Sequence, residues 1–152
     1  MKWLVYIHHT FLHAPIVLSF TWALIGLYAL SRGSKSIVSI LRWGGWLTFA
    51  LTSLTVLSGL VVAPGWLGGG GSEGLTHHRS LGLLSWTAVG IAAWGYDKGV
   101  RRDSADWRRF AVGVWCVASL SVVGAGHWGA AERHPEVVPW SDTPYERPER
   151  RP

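Results

Sequence analysis

Four long stretches of mostly apolar residues constrain this chain more than any other feature of its sequence. They lie at about 5–30, 41–63, 80–96 and 109–128, and only Arg42 and Arg109 carry charge within them, each at an edge. A helix needs roughly 20 such residues to cross the hydrocarbon core of a bilayer. Strands of a membrane β-barrel are about half as long and alternate in polarity, which excludes them. The sequence therefore predicts an all-α, integral membrane four-helix domain over residues 1–130.

The composition agrees with a membrane domain and excludes several soluble classes. Hydrophobic residues make up 49% of the chain, charged residues make up 15%, and the mean hydropathy is +0.22. A soluble domain carries roughly 25% charged residues. The single cysteine, Cys116, cannot form an intrachain disulfide. No Ser/His/Asp or Cys/His arrangement indicates nucleophilic catalysis, so the sequence leaves open whether the protein is an enzyme.

The basic residues predict the orientation of the helices. The first and third loops are basic, whereas the middle loop, 64–79, carries only Arg79. Cytoplasmic loops of membrane proteins are enriched in Lys and Arg. We therefore expect an up-down-up-down bundle in a bacterial inner membrane, with both termini and the middle loop in the periplasm. The two basic loops suit anionic lipid headgroups rather than nucleic acid. Their basic residues are Arg32, Lys35, Lys98, Arg101, Arg102, Arg108 and Arg109.

The last segment, 131–152, differs in composition from the bundle. It is rich in proline and charge, and it lacks the apolar residues that a core requires. We expect an extended outer arm, which would contact a cytochrome or a larger membrane complex.

Histidines are concentrated at one depth of the predicted bundle. His13, His78 and His127 lie 18, 19 and 18 residues from the cytoplasmic ends at Ser31, Asp97 and Arg109. At about 1.5 Å per residue, each is about 27–29 Å from that boundary. Three helices therefore deliver an imidazole to one layer near the periplasmic face. His9 and His77 lie close to it, and they complete the candidate set.

This layer predicts a bound cofactor or metal, because imidazole is the commonest metal ligand. The first and third helices are diagonal in such a bundle, so their axes are roughly 12–14 Å apart if neighbours are about 8–10 Å apart. That distance suits a haem b between two imidazoles, for which His13 and His78 are the first choice. His77, His127 and His9 are reserves, and His127 would lie near the haem edge or a quinone headgroup. The cytoplasmic half has no histidine, so only one haem is expected.

Two alternatives use the same sequence differently. The histidines could bind a transition metal (Cu, Zn or Fe) directly, with His9 and His13 one turn apart on one helix face. The chain could also be a cofactor-free accessory subunit, whose C-terminal arm and tryptophans pack onto a larger membrane complex.

The N-terminal segment 8–16, His-His-Thr-Phe-Leu-His-Ala-Pro-Ile, resembles a family motif. It is similar to the His-Pro-x-x-Val-His-Phe-Pro-Ile opening of a bacterial family of four-helix membrane proteins, domain of unknown function 2231. His8, His13, Pro15 and Ile16 match in register, while His9 and Ala14 depart from it. Ser58-Gly59-Leu60 and a histidine opening the third helix also resemble the family pattern. Members occur beside c-type cytochrome domains, so the resemblance implies electron transfer between quinol or a partner subunit and a periplasmic carrier.

Overall fold

The computed structural model describes residues 2–32, 35–62 and 73–133, and it is all-helical over these residues. The four helices are α1 (Lys2–Arg32), α2 (Lys35–Val62), α3 (Glu73–Arg101) and α4 (Ala105–Arg133). Each predicted span falls within one of them, apart from position 63, which lies outside the described residues. The Gly-rich middle connection and the arm from residue 134 onward also lie outside them. The prediction of four helices is therefore confirmed.

Three of the helices are long and apolar enough to cross a membrane, namely at Thr10–Arg32, Ser36–Val61 and Ala105–Ala131. The chain is accordingly treated as a membrane protein. Helix α3 is not among them, because both of its ends are polar: Glu73 and the His77–Arg79 segment at one end, Asp97 and Lys98 at the other. Its uncharged centre, 80–96, is rich in Gly, Ser and Ala, which contribute little hydropathy. That α3 also spans the membrane stays a prediction.

Small residues bring the helices together. Alanines of α3 and α4 are buried in the core around Trp115 and Tyr96, both almost fully buried. The packing partners are α1 with α2, α2 with α3, α3 with α4, and α4 with α1, which leaves α1 and α3 diagonal across the bundle. Large apolar side chains such as Leu24 and Leu120 instead lie on the outer surface. Small residues inside and large ones outside are typical of helices that pack within lipid.

The connection between α3 and α4 occupies only residues 102–104. Asp103 has a φ of 46°, a left-handed conformation that commonly ends helices. The Ser104 amide donates to the Gly99 carbonyl at 2.9 Å, and the Ser104 carbonyl accepts from Arg108 as α4 begins. At Gly99 the two helices are so close that a Cβ would lie 2.9 Å from the Arg108 backbone nitrogen. The tight connection thus fixes the α3–α4 pair.

Polar side chains of α2 accept hydrogen bonds from indoles of its two neighbours. Trp22 of α1 donates from Nε1 to Thr48 Oγ1 at 2.7 Å, and Trp86 of α3 donates from Nε1 to Ser53 Oγ at 2.8 Å. An indole N–H inside a membrane bundle needs such a partner. Trp115 Nε1, by contrast, is buried with no hydrogen-bond partner among the described residues. Thr48, Thr52 and Thr55 of α2 are buried.

Replacing Thr48 by Val is expected to lower the free energy of unfolding by about 1 kcal/mol, because the buried Trp22 N–H loses its acceptor. Thr87→Val is the matched control, since the exposed Thr87 hydroxyl bonds only to Leu83 of its own helix. The measurement is SDS-induced unfolding in mixed micelles, followed by circular dichroism. Equal losses for the two variants would contradict a stabilising role for the Trp22–Thr48 bond.

Candidate histidine site

His78 is held between α3 and α4 by a backbone carbonyl. The His78 Nδ1 lies 2.7 Å from the Ala125 carbonyl oxygen, and the side chain is half-buried. The ring fills a notch left by Gly129, where a Cβ would lie 2.8 Å from the same nitrogen. Helix α4 therefore positions the His78 imidazole in two ways. The Ala125 carbonyl bonds to it, and Gly129 leaves the space that its ring occupies.

His8 is held in the same way between α1 and α2. The His8 Nδ1 lies 2.9 Å from the Thr55 carbonyl oxygen and 3.5 Å from Ser58 Oγ. Its ring faces Gly59, where a Cβ would lie 2.8 Å from Cε1. Two diagonal helices, α1 and α3, thus each carry an imidazole that is bonded to a neighbouring helix and seated against a glycine.

These hydrogen bonds fix the tautomer of both rings. A carbonyl oxygen can only accept, so the Nδ1 atoms of His8 and His78 must carry the proton. In a neutral imidazole the lone pair then lies on Nε2, and Nε2 is the nitrogen through which such a tautomer binds a metal. A backbone carbonyl on the other ring nitrogen is the usual support of a metal-bound histidine, because it orients the ring and makes it more basic.

Among the remaining predicted ligands, His13 and His77 have exposed side chains. The side chain of His13 is exposed on α1, so the structure does not bring it into the bundle. His77 is also exposed, with Nε2 3.4 Å from Glu73 Oε1, and its ring stacks on Trp128 with centroids 4.8 Å apart. The half-buried His127 ring lies 5.8 Å from the same indole. The side chain of His9 lies outside the described residues.

Sequence reasoning placed His13 first and left His8 out of the candidate set. The depth count favoured His13, because it compares positions along the helices and contains no information on which side of α1 faces the bundle. The available signal was the resemblance itself, since both His8 and Gly59 belong to the matching motifs. The His8 ring lies against the Gly59 backbone, so the two motifs are adjacent in space.

Four glycines of α3 and α4 differ in the space that surrounds them. They are Gly82, Gly124, Gly126 and Gly129. At Gly124 and Gly129 the space is taken, by Leu81 and His78 respectively. At Gly82 a Cβ would meet nothing within 4 Å, and at Gly126 it would meet only Ile16 Cδ1, at 4.0 Å. Room therefore exists at Gly82 and Gly126, and packing accounts for the other two.

Direct metal binding requires three or more protein donors in one place. Within residues 2–32, 35–62 and 73–133, the His, Cys, Asp and Glu side chains form no such group. Two histidines on diagonal helices, His8 and His78, are of the residue type that can ligate a haem iron axially.

Comparison with known proteins assigns no relative to the chain. No family model matches it, and no curated protein or solved structure matches it either. The similarity to the four-helix family therefore stays a prediction from the quoted motifs.

We predict that His8 and His78 are Nδ1-protonated in cofactor-free protein, which histidine ¹⁵N chemical shifts in detergent micelles would measure. Gly129→Ala should remove this signature from His78 and preserve it at His8, because the new Cβ would occupy the position of the His78 ring. Gly82→Ala is the control, since its Cβ has open space. A His78 ring protonated on Nε2 in the native sequence would contradict the assignment.

Proposed function

We propose that this chain is a b-type cytochrome-like subunit of a bacterial inner membrane, with one haem near the periplasmic face. It would pass electrons between quinol or a partner subunit and a periplasmic carrier. The proposal includes an up-down-up-down bundle in which α3 also spans the membrane and both termini face the periplasm.

The observation that carries the proposal is the matched support of His8 and His78. Both imidazoles donate from Nδ1 to a backbone carbonyl of an adjacent helix, and both are on helices that are diagonal in the bundle. We accordingly propose His8 with His78 as the axial pair and place His13 in reserve with His77, His127 and His9. A haem held by two imidazoles supplies single-electron transfer.

The chain's own residues would orient the two histidine ligands. The Thr55 and Ala125 carbonyls hold the two ring planes, and they favour the tautomer that carries its proton on Nδ1. The rings of His77 and His127 both lie near the Trp128 indole. They would contact a quinone headgroup at the periplasmic end of the bundle. Trp128 would provide its aromatic stacking surface.

One observation also favours a second candidate, the cofactor-free accessory subunit. The hydrogen bonds of His8 and His78 tie helices together by themselves, and they stabilise the bundle with or without a ligand on Nε2. The two candidates differ in whether removal of these histidines changes cofactor content.

A reduced-minus-oxidised absorption spectrum of the protein purified from haem-replete cells tests the proposal. We expect a sharp α-band of a six-coordinate b haem, near one per chain, in the native protein and in His13→Ala. In His8→Ala and His78→Ala the haem should become high-spin or be lost, because one axial ligand is missing. Added imidazole should restore the six-coordinate spectrum to His78→Gly, which a purely structural role would not allow.

Other outcomes would overturn part or all of the proposal. Full six-coordinate haem in both His8→Ala and His78→Ala would overturn the ligand pair. A featureless native spectrum would overturn the cytochrome proposal itself. Stoichiometric copper or zinc in the same sample would then favour direct metal binding, and co-purification with a larger complex would favour the accessory subunit.

The proposed orientation predicts which cysteines react from outside the cell. In a Cys116→Ser background, Ser104→Cys in the α3–α4 connection should be protected from a membrane-impermeant maleimide added to spheroplasts. Ser72→Cys in the middle connection should be labelled under the same conditions. Lysis should expose position 104. The reverse pattern of labelling would show that the bundle is inserted the other way.

A further inference from the structure

A cluster of charged residues gathers where the three membrane-crossing helices end. A cavity lined by Ala29 of α1, Val38 of α2, Val100 of α3 and Ala105 of α4 brings four helix ends together. The apolar spans end or begin there, at Arg32, Ser36 and Ala105. This end of the bundle therefore lies at a membrane–water boundary, whichever way the chain is inserted.

The only buried charge described at this end is the Asp97 carboxylate, whose side chain is 7% exposed. It accepts from Arg42 Nε of α2, and its second oxygen lies 2.7 Å from Arg101 Nη2 of α3. A buried carboxylate requires such partners, because burial without them is costly. Since the guanidinium groups of Arg42 and Arg101 share the single Asp97 carboxylate, these three side chains together carry a net positive charge.

Lys98 is positioned by tryptophans instead of by an acid. Its ammonium nitrogen lies 4.5 Å from the ring centroid of Trp94 and 3.8 Å from that of Trp107. Cation–π contacts of this kind hold a cation in place and leave its positive charge uncompensated. Among the described residues, neither Lys98 nor the exposed Arg102 forms an ion pair, whereas Arg108 and Arg109 pair with aspartates.

Five residues at the end of α3 line a second, open cavity on the surface of the bundle, with a volume of about 340 Å³. They are Trp94, Asp97, Lys98, Arg101 and Arg102. The indole of Trp94 is 48% exposed, so an apolar aromatic wall stands beside three cations. A wall of this mixed character matches a molecule with a negative headgroup and an apolar body.

We propose that this cavity binds the phosphate headgroup of an anionic phospholipid of the surrounding bilayer. Arg101 and Arg102 would donate to the phosphate oxygens, the Lys98 ammonium would add its charge, and Trp94 would lie along the glycerol and upper acyl chain. The Asp97–Arg42 pair supports the site by fixing Arg101. The inference is independent of the haem, because it uses residues at the opposite end of the bundle from the histidines.

Native mass spectrometry of the protein extracted from phosphatidylcholine vesicles containing phosphatidylglycerol tests the site. We expect the native chain to retain one phosphatidylglycerol in preference to phosphatidylcholine. Lys98→Gln/Arg102→Gln should weaken this retention at least about tenfold, because each basic residue contributes separately to headgroup affinity. Arg32→Gln/Arg109→Gln is the control, since it removes the same formal charge from exposed residues that do not line the cavity beside Trp94. This variant should retain the lipid if the site, and not the general charge of the basic loops, binds it.

Three results would overturn the site. Equal loss of lipid in both double variants would assign the effect to overall charge. Equal retention of the two phospholipids by the native chain would exclude selectivity for an anionic headgroup. Displacement of phosphatidylglycerol by millimolar inorganic phosphate would identify a site for free anions. Circular dichroism of each variant would confirm that a loss of lipid does not reflect a loss of fold.

Discussion

Polar side chains inside a membrane bundle must find their hydrogen-bond partners within the protein, and this requirement organises the helix interfaces of the chain. Helix α2 meets most of it. Its Thr48 and Ser53 hydroxyls accept from Trp22 and Trp86, and the Thr55 carbonyl accepts from His8. Residues of α2 thus act as acceptors for donors on both neighbours, so a helix without histidine holds His8 of α1 in place.

The same requirement links packing to the proposed chemistry. A carbonyl that satisfies the Nδ1–H of His78 joins α3 to α4, and it also leaves the lone pair on Nε2. The bond that stabilises the bundle is therefore the bond that would prepare a ligand. Glycines at positions 59 and 129 complete this arrangement, because any side chain there would collide with an imidazole. Helix packing and ligand orientation cannot be separated at these two sites.

The sequence was sufficient to predict what depends on hydropathy and on position along a helix. It located all four helices. It could not show that His8 contacts α2 while the His13 side chain is exposed, because that depends on the rotation of α1 about its own axis. That rotation is set by contacts of His8 with Thr55 and Gly59 of α2. Counting residues along one helix gives no information on such contacts. The pairing of Asp97 with Arg42, 55 positions apart, was missed for the same reason.

The two ends of the bundle satisfy their polar groups by different means. At the histidine end, the imidazole N–H groups of His8 and His78 are paired with backbone carbonyls, which carry no formal charge. The opposite end buries a full carboxylate and surrounds it with cations that outnumber it. Burial of Asp97 is stabilising only while Arg42 and Arg101 both face it, which keeps their charges close together. An anionic headgroup would balance the excess positive charge that this arrangement creates, and the bilayer would thereby supply the counterion that the chain lacks.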